Sequence, residues 1–311
     1  MRTAFVEELL ELAARDSRIW LVTGDLGYSV LEPFAEQFPS RFVNAGVAEQ
    51  NMVGIAAGLA HSGASVFVYS IANFPTFRCL EQIRNDVCYP GASVTIVSVG
   101  SGFGYGSHGS THHAIEDLGI MRSLPGIAVV SPGDPPEARQ ATRALAERGR
   151  PGYLRLGKAG EPALTAEARI DFSLGRMRLL RAGNDVAIIG TGSVLGMVMA
   201  AAEQLERDGI EARVYSAHTL KPFDAEALGL ALAETRGVVT VEEHRLVGGL
   251  RSAVAEALLD GPFVETAGRV HCLGVDADAV LGTGDQDHLR AASGLSIQDV
   301  VGAARAVCHQ A

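Results

Sequence analysis

The chain has no basic run. Its 26 Lys and Arg stand against 36 Asp and Glu, a formal charge of −10, which excludes nucleic acid or an anionic membrane as the main partner. Long apolar runs are also missing, and stretches of about five to seven residues are too short to span a bilayer. The first residues, Met1, Arg2, Thr3 and Ala4, lack the apolar core of a signal peptide. The four cysteines, Cys79, Cys88, Cys272 and Cys308, have neither paired nor metal-type spacing and suit a reducing compartment. These absences predict a soluble cytoplasmic protein. What is present is a globular composition, 47% apolar and 20% charged over 311 residues, with 36 glycines for tight turns and close backbone approaches.

Short β-branched runs alternate with amphipathic stretches. Residues 19–23, 41–44, 65–69, 93–99, 127–131 and 152–156 read as buried strands. Residues 48–62, 74–88, 114–122 and 134–148 carry helical spacing. The rhythm breaks over 158–185, rich in charge, Gly and Pro. It resumes with strands at 185–190, 211–216, 237–242 and 270–274, and helices at 193–208, 224–234, 248–259 and about 296–307. Such alternation predicts an α/β protein of two doubly wound, mostly parallel-sheet domains. The expected division is 1–160, a linker with an edge hairpin over 161–184, and 185–311.

Three segments invite functional readings. Gly46 turns a strand into a helix, and Glu49 falls in the first helical turn, before the small-residue face Gly54, Ala56, Ala57, Gly58 and Ala60. A lone Glu there is a carboxylate favoured by the helix dipole. Close packing of the small face, with Asn44, Gln50 and Asn51 crowding the same turn, argues for more. His108, His112, His113 and Glu116 could be read as a zinc cluster, but Gly109 and Ser110 interrupt helical character, and no metal site is expected. Gly190, Gly192 and Gly196 open a helix after a strand, yet the next strand ends in Ala217-His218-Thr219 with no acid to hold a ribose. A tight connection is the better reading.

Ala48-Glu49-Gln50-Asn51-Met52 resembles the catalytic-glutamate segment of the pyrimidine-binding domain of transketolases. Thr23-Gly24-Asp25-Leu26-Gly27-Tyr28-Ser29 is similar to that family's first strand and loop. Phe74 and Arg78, followed by Glu81-Gln82-Ile83-Arg84-Asn85, resemble the ring-stacking helix of the split, two-gene members. Gly109-Ser110-Thr111-His112 resembles the Gly-Pro-Thr-His motif. Gly190–Ser193, Leu220–Asp224 and Val241–Gly249 resemble the transketolase C-terminal domain.

The resemblance implies transfer of a two-carbon ketol unit from a ketose or ketose phosphate to an aldehyde, using thiamine diphosphate and Mg²⁺. It implies Glu49 as the acid/base partner of the pyrimidine ring and His112 as the active-site histidine. Asp25, Leu26, Phe74 and Arg78 would meet the cofactor. Arg2, Ser29, His108, His112, Arg155 and Lys158 would line the substrate channel, its guanidinium groups suited to phosphate. The family's channel histidine corresponds to Gly100, and the aspartate that reads the acceptor hydroxyl to His108, so a changed acceptor or a substrate without phosphate is open. The family's Gly-Asp-Gly and downstream Asn, oxygen ligands for Mg²⁺, are absent. The diphosphate site is therefore expected on a separate N-terminal-half subunit, in an α2β2 assembly. The beta subunit of a 2-oxoacid dehydrogenase, or a non-catalytic subunit of the same fold, are the alternatives.

Overall fold

Buried parallel strands need apolar side chains on both faces, and the chain supplies them in two sets. In the first set β1 is Ile19–Thr23, β2 Phe42–Asn44, β3 Ser65–Ile71, β4 Val94–Val99, β5 Ala128–Val130 and β6 Gly152–Leu156. In the second, β7 is Arg178–Arg181, β8 Val186–Thr191, β9 Ala212–Ser216, β10 Thr219–Lys221, β11 Val238–Arg245 and β12 Val270–Val275. These elements come from a computed structural model that describes residues 1–158, 160–164, 171–276 and 282–310. The strands form a seven-stranded sheet, β10-β5-β6-β4-β3-β1-β2, and a five-stranded sheet, β12-β11-β8-β9-β7, with helices against them. Two α/β domains result.

All pairings are parallel except at two edges, where β7 lies antiparallel to β9 and β10 antiparallel to β5. The expected edge hairpin is represented by the single strand β7; residues 159 and 165–170 of the expected linker region lie outside the described residues. β10 crosses between the two halves of the chain. It belongs to the second half of the sequence yet closes the first sheet, pairing Thr219 with Val130.

The helix Arg2–Arg15 packs Phe5, Leu9 and Ala13, an i, i+4 row, under the first sheet. Glu8, on the same helix, accepts Arg143 Nε and Nη2 at 2.8 and 3.1 Å. Arg143 belongs to the helix Pro135–Arg148, which starts on Asp134, whose carboxylate accepts Glu137 N–H at 2.8 Å, and stops on left-handed Gly149. A cap of this kind is worth about 1 kcal/mol. The expected continuous helix over 74–88 is instead three pieces, Asn73–Phe77, Leu80–Gln82 and a π-helical turn Ile83–Cys88.

At the crossing into β10, His218 is buried, stacked on Phe172 with ring centroids 4.1 Å apart, and bonded through Nδ1 to Thr219 Oγ1 at 2.9 Å. Its carbonyl accepts Ser131 N–H at 2.8 Å. Burial, aided by the Arg178 charge, pushes its pKa down to about 3. Between that value and the ordinary one the unfolded chain binds a proton that the folded chain refuses, so stability falls as pH falls below about 6.5. The loss assigned to this one ring is about 2 kcal/mol between pH 8 and pH 5. Urea unfolding at the two pH values is expected to show that His218→Phe loses about 2 kcal/mol less than the parent chain on acidification; an equal loss in both would refute the assignment.

Candidate active site

The carboxyl edge of a parallel sheet is where loops are free to carry chemistry, and five strands of the first sheet deliver residues there. Asp25 to Ser29 follow β1, Glu49 follows β2, Phe74 and Arg78 follow β3, the loop 100–114 follows β4, and Lys158 follows β6. Arg2, at the start of the first helix, reaches the same edge beside the Tyr69 hydroxyl of β3.

Gly46, at φ 73°, makes the turn that starts the helix Glu49–His61. Glu49 is therefore in its first turn, only 6% exposed, with its Cγ 3.8 Å from where a side chain on Gly24 would begin. Its Oε1 accepts Arg78 Nη1 at 2.9 Å. Arg78 is half exposed, and its guanidinium lies over the Phe74 ring, 4.2 Å from the centroid. One face of Phe74, the ring expected to stack on a heterocycle, is thus covered by a planar cation. The other neighbour of Phe74 is His112, edge-on at 5.3 Å, and His112 lies 4.9 Å from His108. Burial first, then the positive neighbours His108 and Arg78, hold His112 below its ordinary pKa, which favours a neutral imidazole. Ala48, Glu49, Gln50, Asn51 and Arg78 line an open cleft of about 460 Å³.

Tyr105, which sequence reasoning did not single out, links this group to the basic residues. Its ring lies 5.9 Å from His108 and 6.3 Å from His112, and Lys158 Nζ stands 4.9 Å above it. Lys158 and Arg2 line one cleft of about 390 Å³. The signal for Tyr105 was Gly100: at φ 77°, a side chain there would begin 2.1 Å from the Tyr105 ring, so the glycine and the tyrosine occupy one space.

Asp25 has φ 58° and Ser29 φ 61°, conformations rare for residues with side chains. Asn44 stabilises the first: its Oδ1 accepts Asp25 N–H at 2.9 Å and its Nδ2 donates to Asp25 Oδ1 at 3.1 Å. Tyr28 donates to the same Oδ1 at 2.8 Å, and the Ser29 amide donates to Glu32 at 2.7 Å. Leu26 anchors the loop through its carbonyl, which accepts Thr23 Oγ1–H at 3.1 Å.

Arg155 is a correction. Expected in the substrate channel, it is 1% exposed, its Nε and Nη2 bonded to Asp117 at 2.7 and 3.2 Å and Nη2 also to the carbonyls of Ala114 and Glu243. It is a strut between the domains, because its strand position in β6 faces the buried seam. The histidine-rich segment does not converge as a zinc site would: His113 is buried edge-on to Phe103 at 5.3 Å, and Glu116 pairs with Arg245 at 2.6 Å. Among the described residues, no group of three or more His, Cys, Asp or Glu is arranged to hold a metal. The turn at Gly192 is filled by domain packing, since a side chain there would meet Ser131 Oγ at 2.7 Å. No helix among the described residues is long and apolar enough to cross a membrane.

A buried carboxylate, tied through Arg78 to the Phe74 ring, thus stands at the carboxyl edge of one sheet in a chain of two α/β domains. The model of the transketolase pyrimidine binding domain matches residues 1–160, and that of the transketolase C-terminal domain matches 175–300. The chain belongs to the transketolase family and is a subunit of a transketolase-like enzyme. It is 40% identical over 262 residues to an apulose-4-phosphate transketolase subunit of Phocaeicola vulgatus, covering 84% of each chain. It is 37% identical to the 6-deoxy-6-sulfo-D-fructose transketolase subunit SqwH of Clostridium sp., covering 100% of this chain and 95% of the relative. Among solved structures, a split gene transketolase described as an inactive beta4 tetramer superposes with a TM-score of 0.87 at 37% identity, covering 99% of this chain and 97% of that one.

The bonds from Asn44, then from Tyr28, hold the Asp25 carboxyl below its ordinary pKa. Asn44→Ala is expected to move the Asp25 titration upward, read by carboxyl carbon NMR. An unmoved midpoint would mean that Asn44 does not set the charge of this loop.

Proposed function

We propose that this chain supplies the acid/base and substrate-facing half of a thiamine diphosphate-dependent ketol transfer, from a ketose with an anionic end to an aldehyde. The observation that carries the reading is Glu49, a carboxylate almost fully buried yet lining an open cleft beside Phe74. A buried acid needs a partner, and here Arg78 is the one it has; no bond to its Oε2 is made among the described residues. The cofactor's pyrimidine fits this donor set: Glu49 for a ring nitrogen, Phe74 for a ring face once the Arg78 guanidinium swings aside, and Asp25 and Leu26 at the loop against Gly24. Bound thiamine diphosphate supplies the nucleophilic carbon that accepts and passes on a two-carbon unit.

Glu49 would hydrogen-bond the pyrimidine ring nitrogen and exchange a proton with it. A position away from bulk water sharpens such an exchange. His112, kept neutral, is able to accept or donate a hydrogen bond to a substrate hydroxyl. Arg2 and Lys158 gather positive charge at one cleft in a chain that is acidic overall, which suits a phosphate or sulfonate terminus. The relatives named for apulose-4-phosphate and 6-deoxy-6-sulfo-D-fructose support that choice. Ser29, on the loop after β1, is the further polar residue assigned to the substrate side.

Mg²⁺ and the diphosphate fall to a separate subunit, because this sequence carries Gly24-Asp25-Leu26 and no Gly-Asp-Gly. The tetramer of one kind of chain, described as inactive, supports the need for that partner. We propose an α2β2 assembly in which residues 1–160 face the partner and 185–311 brace them. Val47 and Phe77, exposed at 77% and 42% and next in sequence to the lining residues Ala48 and Arg78, support a face that is covered in the assembly.

Two outcomes are expected. Titrated alone with Mg²⁺ and thiamine diphosphate, the purified chain gives neither tight binding nor turnover; either one without a partner overturns the division of labour. In the reconstituted complex Glu49→Gln lowers kcat/KM by about 10²–10⁴-fold while gel filtration shows the same assembly. Full activity in that variant would assign the chain a non-catalytic role.

A further inference from the structure

The second domain reaches the site from behind, through the end of β11. The loop 101–114, which carries Tyr105, His108 and His112, is closed at its base by paired bonds between Gly102 and Ala114, at 2.9 and 2.8 Å. Just inside that base Phe103 is fully buried, and it packs in the core of the second domain with residues of β8, β9 and β11. The loop therefore folds as part of both domains.

Glu243 occupies the junction, 1% exposed. Its Oε1 accepts the Phe103 amide at 2.7 Å and Gln286 Nε2 at 2.9 Å; its Oε2 accepts Arg290 Nη2 at 2.6 Å and Ser193 Oγ at 3.0 Å. Gly102, at φ 60°, permits the approach, since a side chain there would begin 2.4 Å from the carboxyl carbon. A buried anion with this many donors is a fixed point, and the single element it fixes in the first domain at this position is the base of the histidine loop. Gln286 and Arg290 come from the helix Gln286–Ala292, whose neighbour Gly284 donates its amide to the Gly106 carbonyl at 3.3 Å. The loop is thus gripped at two points by groups that meet no reacting atom.

We propose that Glu243 is a positioning residue, whose carboxylate sets the base of the 101–114 loop and so places His108 and His112 against the substrate. This rests on the reading of the site given above. The geometry also separates it from plain support of the domain seam: Arg155 and Asp117 tie the seam through other atoms, so loss of Glu243 leaves those bonds in place. Displacement of a substrate-orienting group by about 1 Å is enough for a 10²-fold loss in rate.

The test uses the chain with its partner subunit for kinetics and the chain labelled at histidine for NMR. Glu243→Ala is expected to lower kcat/KM by about 10–100-fold, to leave thiamine diphosphate affinity within about threefold, and to shift the His108 and His112 imidazole signals while that of His218 stays put. Glu243→Gln, whose amide oxygen still accepts the Phe103 amide, is expected to recover to within about fivefold of the parent. If the alanine variant does not fold, Glu243→Gln and Arg290→Gln are read in the same way. Folded variants with unshifted His108 and His112 signals, or with all histidines shifted alike, overturn the proposal. The NMR readout needs no turnover, so an inactive parent complex would count against the proposed reaction and leave this inference to the imidazole signals.

Discussion

Arg155 and Asp117 form an ion pair with almost no solvent contact, and the joint between the two domains is built on it. Removing two charges from water costs several kcal/mol per ion, so such a pair survives only if geometry and further bonds offset the loss. Here two guanidinium nitrogens meet the carboxylate, Tyr153 donates to it at 2.5 Å, and the carbonyls of Ala114 and Glu243 take the remaining reach of Nη2. Burial alone would raise the Asp117 pKa, but the adjacent Arg155 charge reverses the sign and holds it below the ordinary value. The pair joins β6, the helix Asp117–Ser123 and β11. It therefore fixes where the histidine loop ends and where the second domain stands.

From that anchor the site divides by chemistry. At one end, Glu49 is buried by a helix start and covered by Arg78. At the other, Lys158 is open to water above the Tyr105 ring, and Arg2 is half-buried beside Tyr69. The buried end suits proton exchange, where solvent would level the acid. The open end suits a charged group that must arrive and leave, because an exposed cation keeps its hydration until the ligand replaces it. His112 sits between the two, in contact with Phe74 on one side and His108 on the other.

The sheet strands were legible because β-branched apolar runs between glycine turns leave few alternatives; β1 and β6 fall at Ile19–Thr23 and Gly152–Leu156 as the pattern predicts. The place of Glu49 in a first helical turn was legible from the Gly46 turn and the small residues that follow. β10 was not, since three residues with one lysine carry no period, and its partner lies in the other domain. The 74–88 segment kept helical spacing, but local pattern does not reveal the breaks between its helical pieces or the π turn at Ile83–Cys88. Arg155 misled because a strand arginine next to apolar neighbours reads the same whether its head meets substrate or a buried aspartate. What distinguishes the two is Asp117, 38 residues earlier, and only the fold brings them together. Tyr105 escaped for the same reason.

Gly100 and Tyr105 show how the loop redistributes chemistry across the site. A side chain at position 100 would project from the end of β4 into the channel, on a rigid strand. Its absence opens that space, and the Tyr105 ring fills it from the loop. The channel wall therefore gains a phenol whose position follows the loop, along with the two imidazoles next to it. Because the loop base is bonded to Glu243 and Phe103 is sunk in the second core, these groups are held as firmly as if they stood on the strand.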